Sequence, residues 1–172
     1  MGKDMGHINF LDTLLIPTRS RKRLRAFTLV ELLITVAIIG TLSSIAVPTY
    51  NNYMDESRNT TAIIDIQKMV GSLARFQAER GRPPDTLGEA GIQPPPDPWG
   101  NPYVYVRLQG LSKHDQDAKC RWDKYDKPLN TDFDLYSMGK DGQTHAKLTD
   151  ARSHDDIIYA HGGTYVGLVS EY

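Results

Sequence analysis

The apolar run from Phe27 to Val47 constrains this chain more than any other feature. It holds one formal charge, Glu31, and follows directly on a basic cluster, Arg19-Ser20-Arg21-Lys22-Arg23-Leu24-Arg25-Ala26. About 20 apolar residues make a helix long enough to cross a ~30 Å hydrocarbon core. A secretory signal has a shorter apolar region with a small-residue cleavage site behind it, and no such site follows this run. A carboxylate inside a membrane-length run is costly and points to a functional role with a specific partner. Chemistry alone leaves two readings of Glu31 open. Either it snorkels to the interface or stays protonated, or it meets a cation on another molecule.

Charge is distributed unevenly. Residues 1–26 carry six basic side chains against two acidic ones, a net of +4 in a chain of net −1, so the remainder carries −5. The basic flank is expected to stay cytoplasmic and the acidic remainder to face outward. That remainder has no basic stripe of the kind nucleic acid requires, so no nucleic-acid partner is expected. Cys120 is the single cysteine and cannot close an intramolecular disulfide; it reads as a small packing residue.

Past the run, Pro48 predicts a kink. Ile63, Ile66, Val70, Leu73 and Phe76 then recur at spacings of three and four, with Asp65, Gln67, Lys68 and Arg75 on the other side. That pattern is an amphipathic helix, and Gly81 with Pro83-Pro84 should end it, giving one helix from about Phe27 to Arg80. Residues 82–102 read as a Pro- and Gly-rich loop with a short turn near Thr86–Ala90. Strands are expected at Tyr103–Val106, Phe133–Met138, Ile157–Tyr159 and Thr164–Val169, with a turn at Gly139–Gly142. Residues 109–131 alternate in charge and read as a solvated loop. The expected fold class is α+β: a long N-terminal helix, with a membrane half and an amphipathic half, packed on a small antiparallel sheet. The segments are a basic leader (1–26), the transmembrane and assembly half of the helix (27–47), its amphipathic half (48–81) and a β-rich C-terminal domain (82–172).

Ala26-Phe27-Thr28-Leu29-Val30-Glu31 resembles the processing site of type IV pilins and pseudopilins. Counted from Phe27, Glu31 is fifth and Pro48 twenty-second, and both positions match the family pattern. The resemblance implies a pilin-like fold, cleavage by a prepilin peptidase after Ala26, and methylation of the new Phe27 amine. Ala26 stands where the family has glycine, so slower cleavage is expected. A second set of residues narrows the resemblance. Asp97-Pro98-Trp99-Gly100-Asn101-Pro102-Tyr103, Asp134 through Gly142, and Asp155-Asp156-Ile157 are similar to the major pseudopilin of type II secretion. Residues 107–131 have no counterpart in it.

The resemblance implies a homopolymer in the inner membrane with its C-terminal domain in the periplasm. Its implied partners are minor pseudopilins, membrane lipid and an assembly platform with a cytoplasmic ATPase. Glu31 would pair with the Phe27 amine of a neighbouring copy, Thr28 would add a hydrogen bond, and Pro48 would let the helix bend within the filament. A non-closing head-to-tail contact between identical subunits gives a helical filament. Asp141-Gly142 and Asp155-Asp156 read, from spacing alone, as a solvated acidic loop. The resemblance implies instead a Ca²⁺ site, with the side chains of Asp141 and Asp155 and the backbone oxygens of Met138, Gln143 and Asp156 as ligands. The segment between Gly142 and Asp155 is longer than the family's.

No nucleophile–base pair or phosphate loop stands out, so enzymatic activity is not expected. His145, His154 and His161 read as loop histidines, and Trp99 as the residue sealing helix to sheet. The alternatives are a type IV pilus subunit serving adhesion, motility or DNA uptake, and a membrane-anchored periplasmic enzyme or binding domain. The latter requires a pocket and leaves Glu31 unexplained.

Overall fold

The structure, a computed structural model, describes residues 27–172. The leader and Ala26 lie outside the described residues. The chain divides into two units between Ser43 and Ser44. Helix α1 (Leu29–Arg80) follows Phe27 and Thr28 in the described part of the first unit and opens the second. In the first unit, apolar side chains point outward on every side, as an all-round apolar sequence dictates: Leu29 is 74% exposed and Leu33 56%. It belongs to the one helix among the described residues that is long and apolar enough to cross a membrane. The helix passes through Pro48 unbroken. Next to the missing proline donor, the Thr49 hydroxyl donates to the Ile45 carbonyl at 2.9 Å. That bond adds a side-chain donor to the turn that proline disturbs.

The second unit holds β1 (Val104–Arg107), α2 (Lys113–Lys119), β2 (Phe133–Ser137), β3 (Ile157–Ala160) and β4 (Tyr165–Leu168). The strands form one antiparallel sheet in sequence order. Val104 lies opposite Tyr136, Tyr136 opposite Ile158 and Ile158 opposite Gly167. Side chains alternate across a strand, so Phe133, Leu135, Ile157 and Tyr159 fall on one face. There they pack with Tyr103 and with Ala62, Ile66, Met69 and Leu73 of α1. Burying a Leu or Ile fully stabilises by about 1.5–3 kcal/mol. The buried stripe is thus centred on Ala62, Ile66, Met69 and Leu73, while Ile63 and Val70 pack at its margin and Phe76 is half-buried. Trp99 packs against the same cluster, in the place expected of it.

The opposite face of the sheet is covered too. Ile158 and Ala160 pack there with Leu129, Leu148 and Val169. This corrects the reading of residues 109–131 as a solvated loop. The segment contains α2, capped where the Ser112 hydroxyl accepts the Asp115 N–H, and then places Cys120 and Arg121 in the interior. Cys120 is a buried packing residue, as expected. Trp122, two residues on, bridges to Lys147 in the long segment between Gly142 and Asp155. The two stretches without an expected structure therefore hold each other over the back of the sheet.

Candidate functional site

At the start of α1, the Thr28 hydroxyl accepts the Glu31 N–H at 3.1 Å, and the Thr28 N–H faces the Glu31 carboxylate at a long 3.5 Å. This is the reciprocal pattern of a capping box. Glu31 is exposed, and the Thr28 hydroxyl serves the backbone rather than the carboxylate. Among the described residues, Glu31 has only that long contact and the helix N-terminus, whose dipole favours a negative charge.

The second site is built where the turn Asp97–Asn101, the end of β2 and the approach to β3 converge. Asp97 is buried and satisfied at both oxygens. Oδ1 accepts the N–H groups of Trp99 and Asn101 at 3.1 and 2.8 Å, and Oδ2 accepts the Ser137 hydroxyl at 2.5 Å. The Gly139 N–H donates to the Ser137 hydroxyl at 3.1 Å, and the Asn101 amide donates to the Gly139 carbonyl at 3.1 Å. The chain is thereby aimed into the acidic turn. Gly139 has φ +63°, and a Cβ there would stand 2.1 Å from the Asp155 carbonyl oxygen, so only glycine fits. Asp97, Asn101 and Ser137 belong to the quoted sequence motifs, but nothing in one sequence reveals that they bond to one another.

The structure brings Asp141 and Asp155 together: the Asp141 N–H donates to Asp155 Oδ2 at 2.8 Å. The Gln143 N–H donates to Asp141 Oδ1 at 2.7 Å, which folds the turn over its own carboxylate. Met138 follows the end of β2 and leads into this turn. Asp156 stands apart. Its carbonyl already accepts the Val169 N–H at 2.9 Å, and its side chain turns inward, fully buried. Two exposed or half-exposed carboxylates thus lie on facing turns, each with one oxygen accepting a backbone N–H, and oxygen donors of this kind are the ones Ca²⁺ takes. Lys140, in the same turn as Asp141, ties the loop to α1 through Asp55 at 2.6 Å.

Behind the loop lies a buried charge pair. Arg121 Nη2 donates to Asp156 Oδ2 at 2.5 Å, and Nη1 to the Thr144 hydroxyl at 2.7 Å. Thr144 in turn donates to Asp156 Oδ2 at 2.6 Å. Burial pushes Asp156 up to about 6 against the pull of Arg121 and Thr144. Asp134, likewise buried, accepts the Arg121 N–H at 2.7 Å and the Asn130 amide at 2.9 Å, and burial raises its pKa as well.

Among the described residues, no three His, Cys, Asp or Glu side chains converge on a metal position. His145 Nδ1 accepts the Lys147 N–H at 3.1 Å, and His161 hydrogen-bonds Tyr172. An open cavity of about 750 Å³ lies beside that last pair, bordered by Tyr125, Asp126, His154 and Val169.

The prokaryotic N-terminal methylation motif matches residues 21–47. The chain is 27% identical over 152 residues to the type II secretion system core protein G of Pseudomonas aeruginosa, which covers 76% of this chain and 94% of the relative. It is 24% identical over 160 residues to the protein of the same description from Aeromonas hydrophila, covering 80% and 92%. To the type IV major pilin protein PilE1 of Neisseria gonorrhoeae it is 30% identical over 80 residues, covering 46% of the chain and 48% of that relative. No solved structure matches the chain.

Proposed function

We propose, from the premise that this chain belongs to the pilin-like superfamily, that it is the structural subunit of a type II secretion pseudopilus. The observation that carries this reading is how far each similarity extends. The match to core protein G of Pseudomonas aeruginosa spans 94% of that protein, whereas the match to the gonococcal major pilin spans 48% of that relative. The pilus alternative is therefore the weaker one.

On this reading a prepilin peptidase cuts after Ala26 and the Phe27 amine is methylated. The apolar half of α1 sits in the inner membrane, and the C-terminal domain faces the periplasm. The amine of one copy then meets Glu31 of the next. The pair neutralises two charges that lipid would otherwise penalise, and it fixes the stagger between helices. The chain acts by assembling and not by catalysing. The work of extension comes from a cytoplasmic ATPase acting through the assembly platform, with minor pseudopilins as further partners. Asp141 and Asp155 would hold a Ca²⁺ ion, with backbone oxygens completing the shell. The ion would supply positive charge between two turns and so tie the approach to β3 against the end of β2.

The experiment is mass spectrometry of the protein extracted from native membranes. A chain beginning at N-methylated Phe27 is expected. One that still carries the arginine cluster refutes the assembly reading. Deleting the gene then separates the two filaments: exoproteins retained with surface pili intact mark secretion, and lost pili with normal export mark the alternative.

A further inference from the structure

We propose that Arg121 is a positioning residue for the acidic loop: it anchors Asp156 from the interior and so holds the adjoining Asp155 carboxylate against Asp141. The inference rests on the calcium reading of those two aspartates.

Asp155 ends the turn that follows Ala151–Ser153, and Asp156 opens the approach to β3, its N–H donating to the Ser153 carbonyl at 3.2 Å. Asp156 points inward, fully buried, and the half-buried Asp155 points toward the turn, where it accepts the Asp141 N–H. The Arg121 guanidinium uses both terminal nitrogens, one on Asp156 and one on Thr144. It thereby joins the two ends of the long 143–154 segment. Arg121 is itself fixed on three sides. Its N–H donates to Asp134, its carbonyl accepts the Leu129 N–H at 2.8 Å, and its guanidinium carbon lies 4.2 Å from the centre of the Tyr136 ring. Around it, Trp122 donates to the Ala146 carbonyl and accepts the Leu148 N–H, both at 2.9 Å. A rigid interior post therefore carries the backbone that presents Asp155.

The pair is not arranged for stability alone. Arg121 Nε and Asp156 Oδ1 are buried without a hydrogen-bond partner among the described residues, and unmet buried polar atoms cost free energy. A buried ion pair is in any case a weak source of stability compared with apolar residues of the same volume. What arginine adds is a planar fork that reaches two oxygens at once, which lysine cannot reproduce. A ligand set already held in place loses less order when the ion arrives, so the ion binds more tightly.

The test is calorimetric titration of CaCl₂ into the full chain in detergent micelles, with fold and thermal midpoint followed by circular dichroism. Four variants are compared with wild type: Arg121→Met, Arg121→Lys, Thr144→Val and Leu73→Ala. Leu73 lies in the core on the other face of the sheet and serves as a stability control. Arg121→Met should weaken Ca²⁺ binding about tenfold or more, the usual cost of losing a residue that orients a metal ligand. Arg121→Lys and Thr144→Val should fall between, and Leu73→Ala should keep wild-type affinity at a lowered midpoint. If Arg121→Met does not fold, the lysine and valine variants decide. Wild-type affinity in both, or an equal loss in Leu73→Ala, overturns the positioning role while leaving calcium binding intact. No calcium heat from wild type overturns the calcium reading and this inference with it.

Discussion

Two stretches of one helix are treated in opposite ways. From Leu29 to Val47 the large apolar side chains are more than half exposed, Ile45 at 70%. From Ala62 to Leu73, a residue on every third or fourth position is buried against the sheet. The difference lies in the sequence period. The first stretch is apolar all round, and no single surface can cover a cylinder. The second confines its apolar residues to a stripe, and one sheet face covers a stripe. Among the described residues, the chain therefore buries its own apolar side chains only in the second stretch. In the first, no described residue of the chain covers the apolar surface.

The largest expected effect tests that division at its one charged point. Glu31→Ala removes the only formal charge of the outward-facing stretch. Membrane insertion should persist and filaments should be lost, as read by electron microscopy and by chemical cross-linking of membrane extracts. Abundant normal filaments from this variant would show that Glu31 serves only as a helix cap.

Paired alanine substitutions sharpen the comparison. Leu73→Ala should destabilise the domain by about 2–5 kcal/mol in a denaturant titration, the usual range for a buried leucine. Leu33→Ala should change the same titration by less than about 0.5 kcal/mol, because a residue exposed in the monomer leaves no cavity behind. Its effect should appear instead in filament yield. Equal losses at the two positions would contradict the assignment of each stretch to a different kind of burial.

The expected helix, running from about Phe27 to Arg80, and the sheet were legible because period is a local property. The strands at 103–106, 133–138, 157–159 and 164–169 each lie within two residues of those found. What escaped was the second face of the sheet. Alternating charges in 109–131 look solvated, yet Arg121 is buried because Asp156, 35 residues away, receives it. No local pattern encodes such a pairing. One signal was present: Ile157-Ile158 is an unbroken apolar pair, and consecutive apolar residues in a strand mean that both faces are covered. At the candidate calcium site, the structure brings Asp141 and Asp155 together. The lattice of Asp97, Asn101 and Ser137 that shapes their loop is a set of contacts across some 40 residues and is invisible to spacing rules.

Calcium should matter in the packed unit and not in the apolar stretch. At an ion concentration one hundred times the dissociation constant, binding stabilises by about 2.7 kcal/mol. Chelation should therefore lower the thermal midpoint of the domain by several degrees and leave membrane extraction unchanged. An unaltered midpoint with chelator would remove the ion from the account while leaving Asp97 and Gly139 as the builders of the turn.

The smallest effect concerns pH, and it separates a carboxylate buried by its own chain from one left to a partner. Asp134 is 1% exposed, and burial raises its pKa above the usual carboxylate range, although the Arg121 N–H and the Asn130 amide both favour the charged form. A folded-state pKa above the unfolded one means that the folded chain holds the proton more tightly. The contribution is complete below the unfolded value of about 4 and fades as pH rises through the folded value. Wild type should therefore gain stability relative to Asp134→Asn as pH falls from 7 toward 4.5, read as a rising difference between their urea midpoints. The amide keeps one acceptor for the Arg121 N–H, so the variant can fold while losing the titration. A difference constant across that range would mean that the two hydrogen bonds offset burial. The interior beneath the acidic loop would then stabilise the ionised form, and the buried half of the molecule would handle charge by internal donors alone.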